Sequence, residues 1–510
     1  MKIISRYVLK MMMILAAGFV ILWAAVPVEA SARTATWVVA VTYQNVGTAP
    51  ANITVNFFAE GSATSINFNP LGTGTLQPGA GASFFIGSVS GVASGFRGSA
   101  VMSADQPLVA TVVQFSQDAG FKMRLLSNAF QSSDGSAQYL VPTVFLNRFS
   151  RTTVFSIQNT ESEAIDATVK IYDADNAGVL ASSITHTIPA QSSKYIEMDD
   201  VSDTGLPGGT TVFNGSAIVT AVLNSDGTTP ASVVSAASEY YTNRNVAANF
   251  EGVPLSRAAN TIYMATALCE KFGLDSYYAV QNASLSAGAQ ITVTYKNVDG
   301  TTKATDGPYS IGGGQKKSIS TCSPNDATNM SGFTGSAVIQ SSGAPIVSVG
   351  KAQGSFGAPQ AGKEDVFTIF LGEPQGATKL ALPFVRWAND TNFNSPSNTG
   401  GKQRTFIAVQ NLESTAIDIN VKYFDKDGNL VATQPLTIQG SSKANSDPNG
   451  AGATGAAGMN PGEFGYYTDG SFGGGVLIEA DASNPSATFI AIARVQHPGA
   501  GEDYNAVPAP

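Results

Sequence analysis

The sequence predicts an all-β chain: four tandem β-sandwich domains behind a cleaved export signal. Three observations carry this expectation: a fourfold internal repeat, short apolar–polar alternations between turn-forming clusters, and a composition poor in charge. At 510 residues the chain exceeds one ordinary core, and about 100–200 residues per domain gives three or four. Hydrophobic residues make up 43%, enough to fill several cores, whereas charged residues are only 13%, about half of average usage. Lys and Arg number 28 against 37 Asp and Glu, a net charge of −9. That balance argues against a nucleic-acid partner, which needs a basic footprint, and weighs against most soluble enzymes.

The first element is the leader, residues 1–32. Lys2, Arg6 and Lys10 make a positive start, residues 11–26 are an unbroken apolar stretch, and Pro27 precedes the small-residue site Ala30-Ser31-Ala32. This is the pattern of a secretory signal peptide. The rival reading is an uncleaved anchor, because the run approaches the lower length for spanning a bilayer; the small-residue site favours cleavage. Cleavage leaves 25 basic and 36 acidic residues, net −11. No Cys sits at the cleavage point to carry a lipid, and no later segment is long and apolar enough to span a membrane. The expectation is a secreted chain at the extracellular cell surface.

Next come the repeats, the strongest signal in the sequence. Gln-Asn closes an apolar strand four times, at Gln44-Asn45, Gln158-Asn159, Gln281-Asn282 and Gln410-Asn411, with spacings of 114, 123 and 129. Each pair is followed by an alternating strand, such as Ala167/Val169/Ile171 and Ile419/Val421/Tyr423, one face of which belongs in a core. A second landmark is an aromatic before small residues: Phe96-Arg97-Gly98-Ser99-Ala100, Phe213-Asn214-Gly215-Ser216-Ala217 and Phe333-Thr334-Gly335-Ser336-Ala337, with Phe472-Gly473-Gly474-Gly475 departing from it. A proline-led strand then opens at Pro107, Pro230, Pro345 and Pro485.

About seven short strands per copy at turn-rich spacing is the immunoglobulin-like pattern. It sets the sandwiches at 33–118, 138–240, 261–353 and 366–498, a tail at 499–510, and polar joins at 117–137, 241–260 and 354–365. The expected shape is four beads on a string. Asp173-Ala174-Asp175-Asn176, Asn297-Val298-Asp299-Gly300 and Asp425-Lys426-Asp427-Gly428 read as hairpin turns rather than calcium loops, since the ligand series lacks its closing Glu.

These residues resemble a family. The strand ending in Gln-Asn, then the run into Tyr423-Phe424-Asp425-Lys426-Asp427-Gly428, is similar to the cell-adhesion-related β-sandwich repeats of bacterial extracellular proteins. The resemblance covers the mature chain and implies a noncatalytic part of a surface protein; it assigns no binding residue.

Chemistry is sparse. The only histidines, His186 and His497, form no His-Glu-x-x-His pair, so no metal site or cofactor is expected. Gly450-Ala451-Gly452-Ala453-Thr454-Gly455 falls between strands rather than between a strand and a helix, which reads as a loop instead of a dinucleotide site. The adjacent acids Asp199-Asp200 and Glu364-Asp365 read as solvated loop residues, although distant acids can meet in space as a hydrolytic pair. Trp37 and Trp387, with Tyr466-Tyr467, are either a sugar-stacking platform or core aromatics. Cys269 and Cys322, 53 positions apart, are candidates for a disulfide worth about 4 kcal/mol by the chain-entropy model, or else buried thiols. Five Asn-x-Ser/Thr sequons, among them Asn214 and Asn282, carry little weight for a chain of bacterial character.

One asymmetry completes the reading. Copies two to four open with an extra strand near Tyr139, Ile262 and Leu380, but in copy one only 11 positions separate Arg33 from Gln44. The first sandwich is expected to lack its first strand, exposing backbone donors and acceptors. The tail residues Tyr504, Asn505, Ala506 and Val507 loosely echo the strand at Tyr139, so strand donation to the next subunit is one expectation, giving a head-to-tail filament; a sandwich that tolerates the gap is the other. The resulting expectation is a noncatalytic structural or adhesive surface protein with protein or glycan partners, and the alternative is a polysaccharide-binding protein, less readily a glycan-degrading enzyme.

Overall fold

The computed structural model describes residues 35–117, 123–176, 178–243, 246–354, 366–398, 401–454, 465–466, 471–497 and 500–510. The leader 1–32, Glu364-Asp365, Gly455 and Tyr467 lie outside the described residues, and the side chain of Tyr466 is likewise not described.

Repeat one contributes β1 (Trp37–Asn45), β2 (Ile53–Ala59), β3 (Ser65–Phe68), β4 (Gly81–Phe85), β5 (Gly98–Ala104), β6 (Leu108–Ser116) and β7 (Arg124–Asn128). Repeat two contributes β8 (Gln138–Leu146), β9 (Arg151–Asn159), β10 (Ile165–Asp173), β11 (Val179–Ile188), β12 (Ser193–Glu197), β13 (Phe213–Leu223), β14 (Val233–Tyr241), β15 (Ala247–Glu251) and β16 (Val253–Pro254). Repeat three contributes β17 (Thr261–Cys269), β18 (Leu274–Asn282), β19 (Ala289–Asn297), β20 (Thr302–Ile311), β21 (Lys316–Ser320), β22 (Phe333–Gly343), β23 (Ile346–Gly354) and β24 (Val366–Leu371). Repeat four contributes β25 (Lys379–Trp387), β26 (Arg404–Asn411), β27 (Ile417–Phe424), β28 (Leu430–Ile438), β29 (Lys443–Ser446), β30 (Gly465–Tyr466), β31 (Phe472–Ala480), β32 (Phe489–His497), β33 (Ala500–Asn505) and β34 (Val507–Pro508).

The chain is all-β and its sheets are antiparallel. Repeat one pairs β4-β1-β6-β7 in one sheet and β3-β2-β5 in the other; repeat two pairs β12-β9-β14-β15 and β11-β10-β13-β8-β16; repeat three pairs β21-β18-β23-β24 and β17-β22-β19-β20. Repeat four follows the same order, but Trp387 opposite Arg404 joins its two sheets into one path. The alternation read from the sequence works as expected. In β10, Ile165, Ala167, Val169 and Ile171 are fully buried, while Asp166, Thr168 and Lys170 between them face outward.

The asparagine of each Gln-Asn pair has the same role in all four repeats. The Asn staples its own sandwich: the Asn411 amide donates to the carbonyls of Thr415 (2.8 Å), Ile438 (3.0 Å) and Gln439 (3.0 Å), and its oxygen accepts the Glu413 N–H (2.8 Å). Asn45, Asn159 and Asn282 repeat the pattern. The turns at Asp173, Asp299 and Asp425 are closed by their own carboxylates accepting backbone N–H groups two to four residues on. Those oxygens satisfy the turn itself.

The arrangement of the repeats differs from beads on a string. The stretches read as polar joins carry strands: β7 lies within 117–137, and β15 and β16 within 241–260. Val366–Leu371, assigned to the fourth sandwich, is instead the edge strand of the third, paired with β23. Likewise the described part of the tail, 500–510, carries β33 and β34, paired with β32 and β25 of its own repeat. Four equivalent strands, β7, β15, β24 and β33, therefore hang off the last strand of each repeat. They pack in a closed cycle, β7 on β15, β15 on β24, β24 on β33 and β33 on β7. The physical reason is burial. Leu125, Leu126, Ala248, Phe250, Ile369 and Tyr504 leave water together, at roughly 1.5–3 kcal/mol for each large side chain.

Cores merge across the seams accordingly. Val347, Val349, Phe367 and Ile369 of repeat three join the core of repeat two, Ile490 and Ile492 of repeat four join that of repeat three, and Val113 and Leu126 of repeat one join that of repeat four. In three seams the first strand of a repeat lies against the next repeat: β8 on β18 and β23, β17 on β26 and β32, and β25 on β1 and β6. In repeat one no counterpart of β8 is present among the described residues.

Candidate functional site

The ring strands end in register. Asn128 faces Thr111, Glu251 faces Ala236, Leu371 faces Val349 and Asn505 faces Ile492. Each of those partners lies three residues past the one opposite the Gln-Asn asparagine. The four equivalent residues thus meet at one end of the axis and bond across it. Asn128 donates its backbone N–H to the Glu251 carboxylate and its amide to the Asn505 carbonyl (2.8 Å). The Asn505 oxygen accepts the Leu371 N–H (2.8 Å), and its amide donates to the Leu371 carbonyl (3.0 Å) and to Glu373 (2.8 Å). Glu373 also pairs with Arg257 of repeat two.

Beyond them opens a cavity of about 320 Å³, lined from all four repeats by Asn128, Glu251, Arg257, Glu373, Asn505 and Val507 among others. Burial pushes the Glu251 carboxyl up to about 7, against only partial compensation from the Asn128 N–H. The adjacent Glu373 carboxylate holds the Arg257 guanidinium more firmly protonated than usual. Three carboxylates, Asp134, Glu251 and Glu373, therefore line one cavity, the arrangement named above as the requirement for a hydrolytic reading. Asp134 accepts the nearby Gln131 N–H (2.7 Å), while Glu251 and Glu373 accept hydrogen bonds from another repeat, which makes those two joints of the ring.

A second polar cluster lies in the seam between repeats two and three. Glu239, fully buried, pairs with Lys351, and its other oxygen lies 3.6 Å from Arg151. Lys351 also donates to Thr143 (3.1 Å), as does the buried Lys316 (3.3 Å), whose ammonium sits 4.2 Å from the centre of the Phe145 ring. Burial alone would raise Glu239, but Lys351 and Arg151 override it and hold the carboxyl low. Burial pushes Lys351 down to about 8, and drives Lys316 well below its ordinary range with further help from Lys351. The sequence does carry a trace of this cluster. Glu239 continues the buried phase Ser235/Ala237/Glu239/Tyr241, and Lys351 the phase Val347/Val349/Lys351, so both are charges on an apolar parity.

The residues singled out in the sequence are scattered. Cys269 and Cys322 are joined as a disulfide. Trp387 is buried, packed by Phe406 and Arg404, so it offers no exposed platform, and Trp37 stacks edge-on against Tyr240. Tyr504 donates its hydroxyl to the Phe384 carbonyl (2.7 Å), and Asn505, Ala506 and Val507 are buried beside it. The donor-strand tail is consumed within its own chain, because ring closure buries more apolar surface than a free end. His186 bonds the Asp203 carbonyl (2.9 Å), and His497 is buried 3.8 Å from Glu502. Asp200 caps a one-turn helix by accepting the Ser202 N–H (2.7 Å). The sequon residue Asn282 is fully buried in its staple. No known protein family's sequence pattern matches the chain, and no curated protein matches it.

Proposed function

We propose that this chain is an exported, noncatalytic structural or adhesive protein of the cell surface, in which four immunoglobulin-like sandwiches close into a ring and meet protein or glycan partners through their outer loops. The observation that carries the reading is the four-strand cycle at the axis. The charged groups it and its seams enclose, the buried Glu239 and Glu251 and the half-buried Glu373 and Arg257, bond from one repeat to another. They serve cohesion rather than a reacting substrate. The export-type leader, the low charge content and the Cys269–Cys322 bridge suit an oxidising, extracellular setting. A filament built by donating Tyr504–Asn505–Ala506–Val507 is not part of the proposal, since those residues complete repeat four.

The test is surface labelling of intact cells with an antibody to the chain, together with light scattering on the purified protein. Labelled cells and a protein without hydrolytic activity on a panel of polysaccharides support the reading. Retention inside the cell, or turnover abolished by Glu251→Gln, contradicts it.

A further inference from the structure

The cavity at the end of the ring axis has an open mouth. Ser133, Gln375 and Pro508 at its rim are exposed, whereas Tyr139, Glu251, Leu371 and Asn505 deeper in are buried. Its volume of about 320 Å³ suits a small organic molecule and far exceeds the space of one water. Mixed apolar and polar walls at a junction of separate units are the usual setting of such sites.

The polar lining is one-sided. Its amide and hydroxyl donors are already engaged within the protein: Asn128 on the Asn505 carbonyl, Asn505 on the Leu371 carbonyl and Glu373, Gln131 on the Pro508 carbonyl (3.1 Å), and Tyr139 on the Asp134 carbonyl (2.8 Å). The carboxyls, in contrast, have acceptor capacity to spare, since each offers about four lone-pair sites. Glu251 is only 8% exposed and accepts the Asn128 N–H, and among the described residues no side chain donates to it. Against the three carboxyls stands one cation lining the cavity, Arg257, which is committed to Glu373.

Such a lining selects a ligand that is positive and brings donors rather than acceptors. A primary ammonium meets both conditions, with three N–H donors, no acceptor and one charge. A bare metal ion does not, because among the described residues the three carboxyls do not all bring an oxygen within 4.8 Å of one another and so cannot close a coordination shell. The remaining wall is apolar, with Phe130, Pro254, Phe489 and Val507 available to a carbon skeleton. We propose that this cavity binds a small organic molecule by its primary ammonium group, held by the Glu251 carboxylate within the negative field of Asp134 and Glu373, with the carbon body against Phe130, Pro254 and Phe489.

Binding is then linked to a proton. In the free chain burial holds the Glu251 carboxyl up to about 7, with Glu373 adding to the rise and the Asn128 N–H and Arg257 opposing it. The other groups on this cavity are Asp134 and Tyr139, and burial keeps the Tyr139 phenol neutral. An ammonium beside Glu251 favours the ionised carboxylate. Ligand binding near pH 6 therefore expels the proton, and affinity falls about tenfold for each pH unit below about 7.

This site goes beyond the surface-protein reading and does not depend on it, since binding is measured on the purified chain wherever the cell places it. The test is isothermal titration calorimetry, with glucosamine and butylamine as ammonium probes and N-acetylglucosamine and butanol as their uncharged counterparts. At least one ammonium probe is expected to bind with a Kd of about 1 mM or below near pH 7.5, and its counterpart at least about tenfold more weakly. Whichever ammonium probe binds tighter, the site is upheld and the preferred carbon body, sugar or alkyl, is identified. Titration near pH 6 in buffers of different ionisation heat should show about one proton released per ligand. Glu251→Gln keeps an oxygen for the Asn128 N–H and should abolish both the binding and the proton release. Asp134→Asn, nearer the mouth, should weaken binding several-fold and keeps the test decisive if the first variant does not fold. Equal binding of charged and uncharged probes, no proton release near pH 6, no binding of either ammonium at about 10 mM, or ammonium binding untouched by both substitutions overturns the proposal. Calcium binding that depends on Glu251 and excludes the ammonium probes overturns it in favour of a metal.

Discussion

Gln281 of the third repeat donates its side-chain amide to the backbone carbonyl of Ala217 in the second repeat, 3.1 Å away. Its neighbour Asn282 bonds only within its own repeat. In repeat three one dipeptide therefore holds both a sandwich together and two sandwiches against each other, and the asparagine's half of that role recurs in all four repeats. Because removing the asparagine takes a donor from three carbonyls and the acceptor from the Glu413 N–H, Asn411→Ala is expected to cost about 3 kcal/mol in urea unfolding. A loss below about 0.5 kcal/mol would remove the staple from the account.

The Glu239–Lys351 pair carries a prediction of its own. Removing one member of a buried pair leaves the other uncompensated, at about 3–5 kcal/mol. Lys351→Met should therefore destabilise strongly, and adding Glu239→Gln to it should recover part of the loss. Equal and additive losses in a double-mutant cycle would show that the two groups are not coupled.

The pH dependence follows from burial. Glu251 is held up to about 7 from its ordinary 4.5, so between those values the folded chain keeps a proton that the unfolded chain has lost. Stability then falls as pH rises from about 4.5 to 7. Lys443, pushed down to about 7 by burial and then Arg494, and Lys351 at about 8, act oppositely. The unfolded chain keeps protons that the folded chain has shed, and stability rises above pH 7 towards 10. Melting temperature against pH should pass through a minimum near 7, and Glu251→Gln should flatten its acid limb. An unchanged acid limb in that variant would assign the effect elsewhere.

Opening the Cys269–Cys322 bridge releases a 53-residue loop in the unfolded state, worth about 4 kcal/mol in the chain-entropy model. Cys269→Ser with Cys322→Ser should lower the midpoint of denaturation by that amount under oxidising conditions. It should have no further effect in the presence of a reductant that opens the native bridge; a difference that persists there would point to packing at Cys269.

The strands of each sandwich were legible because period-two alternation and turn residues are local. So was the recurrence of Gln-Asn, which marks the same corner of four sheets. The ring was not legible, since it is built from partners such as Asn128 and Asn505, 377 positions apart, whose pairing leaves no periodicity. β7 and β15 read as joins because each is only five residues long and sits among Gly, Ser and Asn. Trp387 reads from the sequence as either a stacking platform or a core ring, because an aromatic residue type alone does not say what covers it. In the structure Arg404 donates to the Ala388 carbonyl (2.9 Å) and covers the indole. Tyr504 and Val507 echoed a donor strand for a sound reason: they are strands, spent on their own repeat.

Closure of the four repeats is tested most directly by small-angle X-ray scattering of the purified chain. A closed ring predicts a radius of gyration of about 24 Å, near that of one compact body of this length. A value of about 40 Å, as for four separate sandwiches in a row, would contradict it.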